Sequence, residues 1–153
     1  MKKTSDIYLR RVTHADEAEF IKLMRASKDL HQPWIQAPDT PVLFKYYLQR
    51  IHRNDHEGFA ICRETDDVIV GVINLNNIVR GSFLSASLGY YVGEPYHGQG
   101  YMQAGLSRLI DYAFTPMGLH RLEANIQPDN VRSQELVRRC GFEYEGLSKN
   151  FLF

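Results

Sequence analysis

Residues 88 to 114 constrain this chain most. Leu88-Gly89-Tyr90-Tyr91-Val92 reads as a strand, and Glu94-Pro95-Tyr96-His97-Gly98-Gln99-Gly100 follows as a polar, glycine-bearing loop. Met102, Leu106, Leu109, Ile110, Ala113 and Phe114 then recur at helical spacing until Pro116 and Gly118 end the run. A strand that leads through glycines into a helix start is a recurrent way of holding phosphate. Glycine lets backbone approach a ligand, and the unpaired N–H groups of the first helical turn face its oxygens, helped by about half a positive charge from the helix dipole. Two nucleotide motifs that use this device are absent. A dinucleotide fingerprint needs a third glycine at position 103, where Gln103 stands, and no Gly-Lys followed by Ser or Thr supplies a Walker loop.

The surrounding pattern is that of a mixed α+β domain. Ile7–Val12 alternates as an opening strand, and Thr13 reads as the N-cap of a helix carrying Ala18, Ile21, Leu23, Met24 and Leu30 on its apolar stripe. A second helix is predicted over Pro41–His52, with Leu43, Phe44, Tyr47, Leu48 and Ile51 turned inward. Strands follow at Gly58–Arg63 and over the β-branched run Val68–Val79, with turns at Asp66-Asp67 and Gly81-Ser82. After the glycine loop and its helix come a strand at His120–Ile126, a helix from Val131 to Cys140 stopped by Gly141, and a closing strand beginning at Phe142-Glu143-Tyr144-Glu145-Gly146. The order is an antiparallel meander, then β-loop-α-β-α-β. Residues 1–153 read as one domain, without repeat or linker.

Composition excludes rather than identifies. Eighteen basic residues balance eighteen acidic ones, so no overall field favours nucleic acid or an anionic membrane. The polar start Met1-Lys2-Lys3-Thr4-Ser5-Asp6 holds no signal core, and no apolar stretch is long enough to span a bilayer. Cys62 and Cys140 stand far apart, with neither a disulfide framework nor metal-ligand spacing, which suits reduced thiols in the cytoplasm.

The run from Leu88 to Met102 resembles the cofactor-binding segment of the GNAT superfamily of acetyltransferases. In that family's pattern His97 takes the first place, Gly100 the glycine's place and Met102 the last. His120-Arg121-Leu122-Glu123-Ala124, Pro128-Asp129-Asn130, Ser133 and Gly141-Phe142 are similar to its RimJ and RimL branch, which acetylates the N-termini of ribosomal proteins. Asn77-Ile78-Val79-Arg80-Gly81-Ser82-Phe83 resembles the RimJ type in particular. The resemblance implies the GNAT fold: a mostly antiparallel mixed sheet with splayed central strands, flanked by about four helices. It implies acetyl-coenzyme A as cofactor, held through backbone groups of Tyr90, Tyr91, Val92 and Gly93 and through the loop His97, Gly98, Gln99, Gly100, Tyr101 and Met102, with Asn130 on the pantetheine arm. It also implies a further strand beyond the end of the chain, where Asn150-Phe151-Leu152-Phe153 reads as a strand just begun. The C-terminal strand is therefore expected to be incomplete.

Acetyl transfer from a thioester to an amine requires a neutral amine, a stabilised oxyanion and a protonated leaving thiolate. An α-amine with a pKa of about 7.7–8.0 is roughly one-tenth neutral at pH 7, whereas a lysine near about 10.4 is neutral far more rarely. An N-terminal acceptor therefore tolerates a modest base acting through water. Glu123 is the first candidate for that base, its alternative being an ion-pair partner for Arg121; His97 and His120 are further candidates. Many relatives carry a tyrosine acid seven residues after the asparagine, where this chain has Val137; the resemblance transfers the role to Ser133, which otherwise reads as a first-turn helix residue. The N–H of Val92 is the expected oxyanion donor. Trp34, with Tyr46 and Tyr47, and Arg80 are candidates for the acceptor side, against core packing for the aromatics and a solvated turn for the arginine. The expected partners are a protein N-terminus or a small amine, with no nucleic acid and no membrane, and a homodimer is allowed. A small-molecule acceptor and an idle coenzyme A-binding module are the competing readings.

Overall fold

The computed structural model of the protein describes residues 6–31 and 36–146. Its strands are β1 (Ile7–Arg11), β2 (Glu57–Arg63), β3 (Ile69–Val79), β4 (Ser85–Val92) and β5 (Arg121–Ala124), joined in one sheet in that order. β1 to β4 pair antiparallel and β4 pairs parallel with β5. Helices α1 (Glu17–Ala26), α2 (Lys28–His31) and α3 (Pro41–Ile51) precede β2; α4 (Tyr101–Phe114) makes the crossover a parallel pair needs, and α5 (Val131–Arg139) follows β5.

Period-two alternation sorts the sheet's side chains between two apolar layers. Ile73, Leu75, Ala86 and Leu88 pack with Met102, Leu106, Leu109 and Ala113 of α4. Ala60, Cys62, Val72 and Tyr91 pack with Phe20, Leu23 and Met24 of α1 and Phe44 and Tyr47 of α3. Covered on both faces, β3 is buried from Ile69 to Leu75, and Asn74 is the one amide in that run. Close approach of α4 rests on Gly105, where an added Cβ would lie 2.6 Å from the Ile61 side chain.

Several expectations need correction. The helix predicted to reach Leu30 ends at Ala26, because the Ser27 hydroxyl donates back to the Leu23 carbonyl at 2.6 Å and α2 starts afresh. Phe20, not Ala18, fills the buried stripe, and Leu43 on α3 is partly exposed. Thr13 caps a single 3-10 turn, His14–Asp16, ahead of α1, its N–H donating to Asp16 Oδ2 at 2.9 Å. β4 begins earlier than predicted, at Ser85, while β5 is confined to Arg121–Ala124 because it parts from β4 there. Residues 142–146 form no strand: Gly141 at φ 99° turns the chain, and Glu145 meets β5 through an ion pair with Arg121 rather than a ladder. The strand expected around Asn150–Phe153 lies outside the described residues. Among the described residues no helix is long and apolar enough to cross a membrane.

Candidate active site

The parting of β4 and β5 makes the site. Their pairing runs from Ser85↔Arg121 to Leu88↔Ala124 and stops, while β4 continues to Val92 against β3. Gly93 N–H donates to the Val70 carbonyl at 2.8 Å, which fixes the parity: odd residues of β4 bond to β3, and even ones turn their N–H and C=O toward β5. Tyr90 and Val92 therefore present backbone groups to the side that β5 has left, whereas those of Tyr91 are engaged with β3 and Gly93 donates to Val70 and accepts from the Tyr96 N–H at 2.9 Å. The Val92 carbonyl receives His31 Nε2 at 2.8 Å. That leaves the Val92 N–H and both backbone groups of Tyr90 on the open edge, able to pair with an extended amide-bearing chain as an added strand does.

The loop past β4 has a backbone geometry that suits an anion. After a 3-10 turn over Glu94–Tyr96, Gly98 and Gly100 adopt φ of 73° and 86°, left-handed values that side chains disfavour and that turn successive N–H groups to one side. Gly98 faces open space, with nothing within 4 Å of where a Cβ would stand. Gly100 is the N-cap of α4 and offers no side chain to its first turn, so the N–H groups of Tyr101, Met102 and Gln103 lack a side-chain cap. Gln99 braces the loop, donating to the Pro95 carbonyl at 3.0 Å. His97 is half-buried at the loop's centre. The Met102 side chain is buried in the core, so only its backbone faces the loop. Arg63 lies over the Tyr96 ring at 5.1 Å but is engaged by Asp66 at 2.6 Å.

Ser133 and Glu123 fall on opposite faces of the opening. Asn130 caps α5, its Oδ1 accepting the Ser133 N–H at 3.3 Å. With that N–H satisfied, the Ser133 hydroxyl forms a short hydrogen bond with the Tyr90 hydroxyl, on the α4–α5 face. Burial pushes the Tyr90 phenol up, partly offset by this bond. Glu123 pairs in register with Ser87, which pairs with Asn76, so the three form one row on the α1–α3 face. Its carboxylate is exposed and ion-paired with Arg121 at 3.1 Å. Arg80 is not brought near: it lies about 25 Å along β3 from the Val72–Tyr91 pair, and its guanidinium donates to the Asn54 carbonyl at 2.6 Å. Trp34 lies outside the described residues. Tyr47 is in the core and Tyr46 is exposed on α3.

Sequence reasoning missed the residues that hold β4 from the α1–α3 side. Tyr47 donates to Asn74 Oδ1 at 2.6 Å, and Asn74 Nδ2 donates to the Tyr91 hydroxyl at 3.2 Å. Burial pushes both phenols up, strongly so for Tyr47. Ser27 Oγ accepts the Glu94 N–H at 2.8 Å, and a Cβ on Gly93 would lie 2.6 Å from Leu23 Cδ1. The legible signal was Asn74, an amide inside an apolar run. A shallow groove on the outer side of α1, lined by His14, Ala18, Ile21, Lys22, Arg25 and Pro41, shares no residue with this site.

Known proteins share this fold. Residues 6–143 match the family model for the acetyltransferase (GNAT) domain. The [ribosomal protein uS5]-alanine N-acetyltransferase of Escherichia coli is 40% identical over 99% of this chain and 83% of its own length. The spermidine N(1)-acetyltransferase of Vibrio cholerae is 26% identical over 93% of this chain and 82% of its own. RimJ of Mycobacterium smegmatis, solved in complex with CoA-disulfide, superposes with a TM-score of 0.88 at 26% identity, covering 99% of this chain and 77% of that one.

Proposed function

This chain belongs to the acetyltransferase (GNAT) family, and from that premise we propose that it transfers the acetyl group of acetyl-coenzyme A to the N-terminal α-amine of a protein, a ribosomal protein foremost. The observation that carries the reading is the opening beside Tyr90 and Val92, with a hydroxyl pair on one face and a carboxylate on the other. An amine reaching the opening from the Glu123 side meets a carbonyl whose leaving group departs on the Ser133 side.

The residues present fit acetyl-coenzyme A. The open N–H and C=O of Tyr90 suit a pantetheine arm, and the positive-φ glycines with the uncapped start of α4 suit a pyrophosphate. Bound there, acetyl-coenzyme A supplies an activated acyl group and a thiolate leaving group. The Val92 N–H is the donor for negative charge developing on the carbonyl oxygen, a role for which a rigid backbone amide needs no reorganisation. Ser133 Oγ holds the proton the leaving sulfur takes up. Glu123 lies about 10 Å along the sheet from Tyr90, three residues at strand rise from its partner Ser87, so it removes the amine's proton through water. That modest arrangement matches an α-amine, already partly neutral at pH 7. Two unpaired thiols, Cys62 buried and Cys140 half-buried, suit a reducing cytoplasm.

The relative named for spermidine supports a polyamine acceptor as the second reading. Against it, the acceptor-side row Asn76-Ser87 is neutral and Arg121 offsets one of the two carboxylates it pairs with, Glu123 and Glu145, whereas a polycation calls for several uncompensated carboxylates. The test is titration calorimetry with acetyl-coenzyme A, followed by thiol release with Ala- and Ser-initiated peptides and with spermidine. We expect saturable binding, weakened at least tenfold by Gly100→Val, which forces a side chain into φ 86° at about 1–3 kcal/mol. Peptide turnover should exceed spermidine turnover; the reverse order would replace the first acceptor with the second, and binding without any thiol release would mean an idle module.

A further inference from the structure

We propose that Tyr90 is the positioning partner of Ser133, the two hydroxyls forming a relay that delivers a proton to the leaving thiolate on the α4–α5 face of the opening. The inference rests on the acetyl-transfer reading above and adds to it a side chain that the sequence suggested only for its backbone.

Three observations converge on this pair. The position seven residues after Asn130 holds Val137, which is buried and has no proton to give. Asn130 satisfies the Ser133 N–H, so the Ser133 hydroxyl is not consumed in capping its own helix. Tyr90 reaches Ser133 from β4 across 43 residues of sequence, and its hydroxyl lies near both Ser133 Oγ and, at 3.4 Å, the Ser133 carbonyl. The backbone of this same tyrosine forms part of the open edge, so a ligand paired with that edge lies beside the hydroxyl pair.

The chemistry explains why a second hydroxyl is needed. An aliphatic hydroxyl is a far weaker acid than a phenol, whose ordinary pKa is about 10. Burial raises the Tyr90 phenol further, so it is protonated at neutral pH. As the carbon–sulfur bond breaks, the sulfur takes the Ser133 proton and Ser133 Oγ takes the Tyr90 proton. Because a thiol near about 8.5 is a stronger acid than this phenol, the tyrosinate does not persist: solvent returns to Tyr90 Oη the proton released by the amine. No proton is gained or lost over the cycle.

The test uses Tyr90→Phe, Ser133→Ala and the double variant. Tyr90→Phe keeps the ring and its packing and removes only the hydroxyl. With an Ala-initiated peptide we expect kcat to fall about 10- to 100-fold in each single variant, the calorimetric Kd for acetyl-coenzyme A to change less than about threefold, and the double variant to be no worse than the poorer single. A second readout needs neither cofactor nor acceptor: 13C NMR titration of the tyrosine Cζ resonances. Losing the Ser133 hydrogen bond, which favours the phenolate, should move Tyr90 titration upward in Ser133→Ala. An unchanged kcat in Tyr90→Phe, multiplicative losses in the double variant, or an unmoved Tyr90 titration would each overturn the relay alone. A wild-type chain that turns over no amine overturns the transfer reading, and the relay with it.

Discussion

β4 is held on its two edges by opposite means. Toward β3 it keeps one register from Gly71↔Val92 to Asn76↔Ser87, and buried polar contacts brace the strand from the α1–α3 face: Tyr47, Asn74 and Tyr91 in a chain and Ser27 on the Glu94 N–H, while His31 reaches round to the Val92 carbonyl on the other edge. Toward β5 four residues pair and then the strands part, and the nearby charges, Arg121 with Glu123 and Glu145, are exposed. The difference teaches how a strand edge can stay unpaired without collapsing. An open edge binds a ligand with little reorganisation only if the strand carrying it is immobilised from behind. Here no buried side-chain polar atom among the described residues lacks a hydrogen bond, so the rigid seam carries no internal penalty.

The comparison breaks most visibly at Asn74. Asn74→Leu strands two buried hydroxyls, each costing about 1–3 kcal/mol. A combined loss near 3 kcal/mol should lower the thermal midpoint by roughly 6–12 °C, with weaker acetyl-coenzyme A binding although Asn74 does not face the opening. A variant that melts like wild type would show that this chain does not hold the strand.

A smaller effect, with a pH signature, is expected at His31. His31→Phe keeps a ring beside Tyr91 and removes the donor to Val92, at about 1 kcal/mol near pH 7. Burial holds the imidazole below its ordinary 6.5, the bond to Val92 offsetting part of this. The unfolded chain therefore binds the extra proton first. Wild-type stability from this group is fully present above about pH 6.5 and is lost as pH falls through the folded-state value. Denaturation between pH 7.5 and 5 should show the gap between wild type and His31→Phe narrowing on acidification; a widening gap would reverse the assignment.

The least effect is expected on the β5 side. Arg121→Gln removes exposed ion pairs and should leave the unfolding midpoint unchanged, while altering acetyl transfer by freeing Glu123. A clear loss of stability would mean that the open side is braced after all.

Much of this arrangement was legible because it depends on local spacing. The run from Leu88 through Gly100 into a helix showed the loop, since left-handed backbone at Gly98 and Gly100 and an uncapped helix start are decided within a few residues. Strand and helix order followed from apolar period. Leu88–Val92 was correctly located in a strand, but residue type could not show that only Tyr90 and Val92 face the opening, because parity depends on which neighbour each bonds. His31 and Ser27 were illegible for a related reason: each gains meaning from a backbone group more than sixty residues away.

By itself the sequence determined the order of elements from β1 to α5, the glycine loop between β4 and α4, and a family resemblance that the acetyltransferase (GNAT) domain match bears out, since these rest on short-range periodicity and steric preference. Only the tertiary structure decided that β5 leaves β4 after Ala124, that Tyr90 meets Ser133, and that Glu123 lies on the other face. Those facts follow from packing two apolar layers against one sheet, a global condition that no local window of residues contains.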